Sequence, residues 1–259
     1  MSSHFNITPQ KITTLPQNPS EFIQEADQLV DSISSKWSKT KTYNYTLDDS
    51  SNENVTTYHT KFKSEHWVAR ISQHSSTKYP FQRVLHYLLG IDSENQITDI
   101  SLHTKYEEEY IKVLNKWEIV PLESYPEYES LLNKDHLKNW YSVKAEYELG
   151  APLKTRQFDE LIFIQPPTTT TTNTPGVKGY VISLVADDSS CEPNVRGVYS
   201  SIERIELKED GKWEWIMCTT SDAGGSVPKW LQNSMISKSV AIDVPGFLNW
   251  FNEKEKNDN

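Results

Sequence analysis

Residues 141–149 alternate strictly. Tyr141, Val143, Ala145, Tyr147 and Leu149 are apolar or aromatic, and Ser142, Lys144, Glu146 and Glu148 between them are polar. Successive side chains of a strand point to opposite faces, so this period of two dictates a strand with one buried face. Such a strand needs partners for its backbone hydrogen bonds and a layer to cover its apolar side. The partners are expected at residues 41–47, 55–62 and 67–72 upstream, and at 158–164, 179–186, 195–207 and 212–219 downstream. All are rich in Thr, Tyr, Val, Ile and Trp. Turn residues at 48–54 and the Asp210-Gly211 pair imply antiparallel hairpins.

The covering layer reads as helices. Asn18 can cap a helix whose first residue is Pro19, with Glu21 three beyond the cap. Phe22, Ala26, Leu29, Val30, Ile33 and Trp37 follow at helical spacing. A second helix carries Phe81, Val84, Leu85 and Leu88, and Gly90 can end it. A third is expected over 102–114, with Thr104 and Glu107 at capping-box spacing and Tyr106, Tyr110, Val113 and Leu114 as its stripe. The last is long: Val227, Trp230, Leu231 and Met235 share a face, then Phe247, Leu248, Trp250 and Phe251 continue it. Pro245 should bend or restart it near 243–246. Residues 1–17 and 253–259 lack periodicity and are expected as disordered tails around one domain at 18–252. Within it, the Thr- and Pro-rich stretch 166–176 is a surface loop. The fold class is α+β.

Bulk properties narrow the function. The formal charge is −10, against the clustered Lys and Arg that a phosphate backbone needs, so nucleic acid is not an expected partner. No apolar run approaches the roughly 18 residues that span a bilayer, and residues 1–14 lack a secretory apolar core. The two cysteines, Cys191 and Cys218, are expected as reduced thiols of a cytosolic chain, and the sequons at Asn6, Asn44 and Asn54 as chance matches. No Gly-x-Ser-x-Gly elbow, phosphate-cradling loop or local cysteine signature occurs, so no catalytic residue, metal or cofactor is assigned.

The run Ser221-Asp222-Ala223-Gly224-Gly225-Ser226-Val227-Pro228-Lys229-Trp230-Leu231-Gln232-Asn233 resembles the segment of START domains where the last strand gives way to the final helix. More narrowly, the chain resembles a fungal START-like domain family of unknown function. Residues 67–72 (Trp-Val-Ala-Arg-Ile-Ser), 103–110, Arg156-Gln157-Phe158 and 243–248 (Asp-Val-Pro-Gly-Phe-Leu) carry this likeness, which covers roughly residues 20–252. It implies a helix-grip fold: a curved antiparallel sheet wrapped around a long C-terminal helix and enclosing a cavity. It also implies binding, and transfer, of a sterol, phospholipid, sphingolipid or similar apolar ligand, with transient contact to a membrane surface. A monomer, cytoplasmic or peripheral to membranes, is expected. An enzyme of the polyketide-cyclase or hydrolase type on the same scaffold, or a ligand-sensing regulatory domain, are the alternatives.

The candidate residues each carry a plainer reading. Arg70 either orients a polar head group or is a solvated strand residue paired with Glu65 or Glu146. Trp67, Tyr180, Tyr199, Trp213, Trp215, Trp230 and Leu231 are candidate cavity walls or ordinary core. Gly224, Gly225, Pro228 and Pro245 would bracket a movable lid, although turn logic alone explains the first three. Arg156 anchors a strand edge in preference to binding an anion. His103 and Glu107, four apart on one helix, have no third ligand nearby and belong to a solvated charged face. An enzyme would need Arg70, His74 and Tyr199 to converge.

Overall fold

The computed structural model describes residues 4–62, 64–148, 154–168, 174–187 and 194–257, apart from the side chains of Trp230, Leu231 and Ser234. Helix α1 (Pro19–Asp31) and the short α2 (Ile33–Lys36) lead into strands β1 (Ser38–Thr46), β2 (Asn52–Phe62) and β3 (Glu65–Ser75). Helices α3 (Phe81–Leu89) and α4 (Leu102–Tyr110) follow. Strands β4 (Leu114–Val120), β5 (Trp140–Tyr147), β6 (Arg156–Gln165), β7 (Lys178–Val185), β8 (Val195–Leu207) and β9 (Lys212–Asp222) precede the final helix α5 (Lys229–Asn257).

The strands form one curved sheet of nine among the described residues, in the order β1-β2-β3-β9-β8-β7-β6-β5-β4. Neighbours run antiparallel. The first strands therefore meet the last in the middle of the sheet, through Arg70 opposite Met217 and Ile71 opposite Ile216. Past the end of β7, β6 and β8 pair directly and in parallel at Phe158 and Gly197. A Cβ on Gly197 would lie 2.5 Å from the Phe158 ring, so the close approach requires glycine.

Both faces of the sheet are buried. On one, α1 and the N-terminal segment cover Trp67, Trp140, Phe163 and Ile182. Asn18 caps α1, accepting from the Ser20 and Glu21 amides, and Asp27 ties the helix down by accepting from Tyr180 and Arg204 at 2.9 and 2.8 Å. On the other face lie α3, α4 and α5. Val244, Phe247, Leu248 and Phe251 are fully or almost fully buried against Trp215, Tyr79, Tyr87 and Tyr110.

Four expectations require correction. Residues 4–17 are not a loose tail: Phe5, Ile12 and Leu15 are buried, Phe5 stacks on Phe22 at 5.2 Å, and Gln10 bridges to Ala186. They pack as irregular chain, which leaves no period to read. The helix α5 continues to Asn257 and passes through Pro245, because Glu255 and Lys254 pair with Arg83 and Glu109. Pro245 removes one helical donor, and the flanking Val244 and Phe247 supply the burial that holds the helix together. The helix expected over 102–114 ends at Tyr110, and residues 114–120 form the edge strand β4, whose side chains are mostly exposed. Finally, α4 starts at Leu102, so Thr104 is interior to it and its hydroxyl bonds Tyr141 instead of capping.

The buried segment before α1 is directly testable. Ile12 is wholly inaccessible, so Ile12→Ala should cost about 2–4 kcal/mol in urea unfolding, the range for large-to-small core changes. A change below about 0.5 kcal/mol, typical of a surface position, would show that the segment does not pack.

Candidate functional site: a cavity beneath the final helix

A cavity of about 350 Å³ lies between the sheet and the first half of α5. Its position follows from an uneven helix. From Val244 onward α5 is sunk into the core, whereas among its described side chains from Lys229 to Ser239 only Ser237 is buried. The first half thus roofs a space instead of filling it. The floor is the apolar phase of β5 (Val143, Ala145, Tyr147) with Phe158 and Ile162 of β6, Val181 of β7 and Met217 of β9. The alternation at 141–147 is therefore the inner wall of a container.

One part of this apolar space is crowded with ionisable groups: Arg70, Glu107, Glu160, Glu203 and Asp243 all line it. Arg70 is 1% exposed. Its Nη2 donates to Glu203 Oε2 at 3.4 Å and its guanidinium lies over the Trp215 ring at 3.9 Å. Trp215 Nε1 donates to the same Glu203 oxygen at 2.7 Å. Arg70 Nε and Nη1 have no partner among the described residues. Glu107 stands 3.8 Å from His103 Nε2. That imidazole uses Nδ1 on the Leu88 carbonyl, and burial pushes its pKa down, so it is neutral.

Burial in this apolar setting disfavours the charged form of an acid. It pushes Glu107 and Glu160 up to about 8, with Glu203 adding to the rise at Glu107, and Glu107 adding to that at Glu160 against a hydrogen bond with Ser183. Asp243 rises to about 7, against the pull of Arg70. Tyr110, Tyr147 and Tyr199 are raised for the same first reason. Among the described residues no cluster of three His, Cys, Asp or Glu is placed to hold a metal ion.

Of the residues singled out in the sequence, Arg70, Tyr199 and Trp215 line the cavity. Arg70 pairs with Glu203, not with Glu65 or Glu146. Trp67 and Tyr180 lie on the opposite face of the sheet, under α2 and α1. Trp213, in phase with Trp215, sits further along β9 against His74, outside the cavity. The side chains of Trp230 and Leu231 fall outside the described residues. Met235, expected in the core-facing stripe, is 55% exposed, while its neighbour Ile236 packs towards Val68, Met217 and Val240.

His103 and Glu107 are inward-facing and not part of a solvated face. With Tyr110 they sit at i, i+4, i+7, a core spacing that polar identity conceals. Glu160 was equally hidden, although it is in phase with Phe158 and Ile162. His74 does not join Arg70 and Tyr199. Its Nδ1 meets Glu53 at 2.9 Å and its Nε2 meets Ser72 Oγ at 2.8 Å. This has the connectivity of a hydrolase relay, but Ser72 and His74 are 2% and 1% exposed and neither lines the cavity.

The turn into α5 is built on Gly224 and Gly225, at φ of 63° and 65°. A Cβ at Gly224 would meet the Arg196 carbonyl oxygen at 2.2 Å. Arg156 Nε donates to the Ala223 carbonyl at 2.8 Å, and Gln232 Oε1 accepts from the Ala223 amide. Pro228 immediately precedes the helix, and its carbonyl accepts the Gln232 amide.

Comparison with known proteins bears on this architecture. The family profile described as "Protein of unknown function (DUF3074)" matches residues 67–251. No curated protein sequence matches the chain. Among solved structures, human STARD10 aligns at a TM-score of 0.59 and 14% identity, over 93% of this chain and 84% of that one. Human StAR-related lipid transfer protein 5 aligns at 0.58 and 11%, over 92% and 96%. The human StarD13 (DLC2) lipid transfer and protein localization domain aligns at 0.53 and 15%, over 92% and 98%. The fold is START-like.

The buried acids make a pH prediction. Their folded pKa values lie above those of the unfolded chain, so the stability tied to the bound protons is complete below about pH 4 and lost as pH rises towards 8. His66, His74, His103 and His136 act in the opposite sense, chiefly around and below the range near 6.5 where the unfolded chain takes up protons. Between pH 7 and 8 the acids outweigh them and set the sign of the slope. The urea midpoint of ligand-free protein should fall over that interval, and Glu107→Gln with Glu160→Gln should flatten it. A midpoint that climbs would refute the assignment.

Proposed function

The chain belongs to the DUF3074 family, and we propose that it binds one apolar molecule with a polar end inside this cavity and releases it at a membrane surface. The observation that carries the reading is the cavity itself, an apolar chamber under a lightly packed half-helix with polar groups gathered at one place. Its volume of about 350 Å³ is at the small end of the roughly 300–1,000 Å³ typical of ligand pockets. At ~30 Å³ per water-sized group it holds about a dozen such groups. That favours a single chain or a compact ring system over a phospholipid with two acyl chains. Enclosure offsets the roughly 0.8 kcal/mol that each exposed CH₂ costs in water. The START-like fold, shared with human StAR-related lipid transfer protein 5 and the human StarD13 (DLC2) lipid transfer and protein localization domain, supports the same reading.

Entry requires the roof to move. Residues 229–243 are the segment suited to it, bounded by the Gly224-Gly225 turn with Pro228 at one end and by Pro245 at the other. Around the opening, Val113 and Ile242 are 44% and 51% exposed while also lining the cavity, and Met235 lies beside the lining residue Ile236. Exposed apolar groups at a cavity rim suit transient contact with lipid. Among the described residues no helix is long and apolar enough to cross a membrane.

Three outcomes follow. Organic extraction of the purified protein, read by mass spectrometry, should recover one class of apolar molecule at close to one per chain. Ala145→Leu, which projects into the empty space, should lower that yield while raising the melting temperature of ligand-free protein. Ligand loading should slow amide exchange across 229–243 and leave 247–251 unchanged. Exchange indifferent to loading would rule out the moving roof, and the absence of any recovered or added apolar ligand would rule out the binding reading.

A further inference from the structure

Three of the cavity acids lack a counter-charge. Among the described residues no Lys or Arg nitrogen lies within 4.0 Å of Glu107, Glu160 or Asp243. The one guanidinium in the cavity is already paired with Glu203. Around the three acids stand His103 and Tyr110 from α4, Tyr147 from β5, Tyr199 from β8, and the Arg70–Glu203 pair from β3 and β8. None of these neutralises a second carboxylate, since His103 is held neutral and the tyrosines keep their protons.

An apolar chamber is a costly place for carboxyl groups unless a partner arrives. An anionic head group would meet four carboxyl groups and, among the described residues, a single arginine that Glu203 already engages. A neutral hydroxyl would need no acid at all, because Ser183, Thr219 and Ser221 already line the same walls. From the uncompensated carboxyls and the unpartnered Nε and Nη1 of Arg70 beside them, we infer that the ligand is a single-chain amphiphile with a primary ammonium head and a neighbouring hydrogen-bond acceptor, a long-chain amine or amino alcohol. The ammonium pairs with Glu107, Glu160 or Asp243, and each carboxyl that pairs gives up its proton to solvent. The acceptor takes the free N–H groups of Arg70, and the chain lies along Val143, Ala145 and Ile162.

This inference rests on the binding reading above, and its test separates the two. The full chain is titrated with 1-dodecylamine, 1-dodecanol and dodecanoate, matched in length to the chamber. At pH 8 the amine should bind at least about tenfold tighter than the alcohol, the scale of one charge-assisted hydrogen bond. Its affinity should rise at least about tenfold between pH 6 and 8, as the acids release their protons more readily while the amine stays charged. The alcohol's affinity should stay flat. Glu107→Gln, Glu160→Gln and Asp243→Asn combined should abolish the preference and keep alcohol binding, which also certifies the fold. Surface attraction to an acidic protein would survive that triple change, so an unchanged preference overturns the inference. Alcohol or dodecanoate binding as tightly as the amine at pH 8 overturns it too and leaves the binding reading standing. Failure of all three to bind overturns both.

Discussion

The packing of the second half of α5 against the sheet is the interaction from which the rest of the molecule takes its shape. Val244, Phe247, Leu248 and Phe251 are sealed between Trp215, Tyr79, Tyr87 and Tyr110, and this fixes the height of the helix over the strands. At 1.5 Å per residue, a helix of 29 residues spans about 43 Å. Its other end is held by the turn at Gly224-Gly225, which Arg156 and Gln232 clamp through Ala223. A stiff rod pinned at both ends cannot follow the curve of the sheet, so the space beneath its first half stays open. The cavity is a geometric consequence of these two anchors. No single residue needs to be missing to create it.

The same geometry explains why ionisable groups survive there. In a sealed core the cost of burying Glu107, Glu160 and Asp243 would fall entirely on folding stability. Under the proposed binding function, that cost is shared with the bound molecule. Holding protons meanwhile lets the empty protein keep the groups neutral. Arg70 differs because its charge is permanent. It is therefore given a stacked ring and a carboxylate, Trp215 and Glu203, in a fixed arrangement. Chemistry is thus segregated by position. The polar clusters that only hold the fold together, Asp27 with Arg204 and Glu53 with His74 and Ser72, do not line the chamber.

Much of the framework is legible in the sequence because it is set by local rules. The alternation at Tyr141 to Tyr147 declares a strand and names its inner face. Asn18, Pro19 and Glu21 mark the start of α1, and Gly90 ends α3 in the left-handed region at φ 69°. What escapes is whatever lacks a period or contradicts its polarity. Strand β4 sits at an edge with few buried side chains, so it has no alternation to read. Phe5, Ile12 and Leu15 pack from an irregular segment. His103, Glu107 and Glu160 occupy core positions as polar residues, and a pattern built on hydrophobicity assigns such residues to solvent.

The sequence by itself determined most of the elements and their order, the inner phase of β5 and the strand-to-helix turn of a START-like fold. These depend on steric preferences and periodicities that act within a few residues. Only the tertiary structure decided which tryptophans face the chamber, that Arg70 pairs with Glu203 across 133 positions of chain, and that four acids from α4, β6, β8 and α5 share one apolar space. Those facts depend on the curvature of a nine-stranded sheet and on where a rigid helix leaves it. No local pattern encodes either.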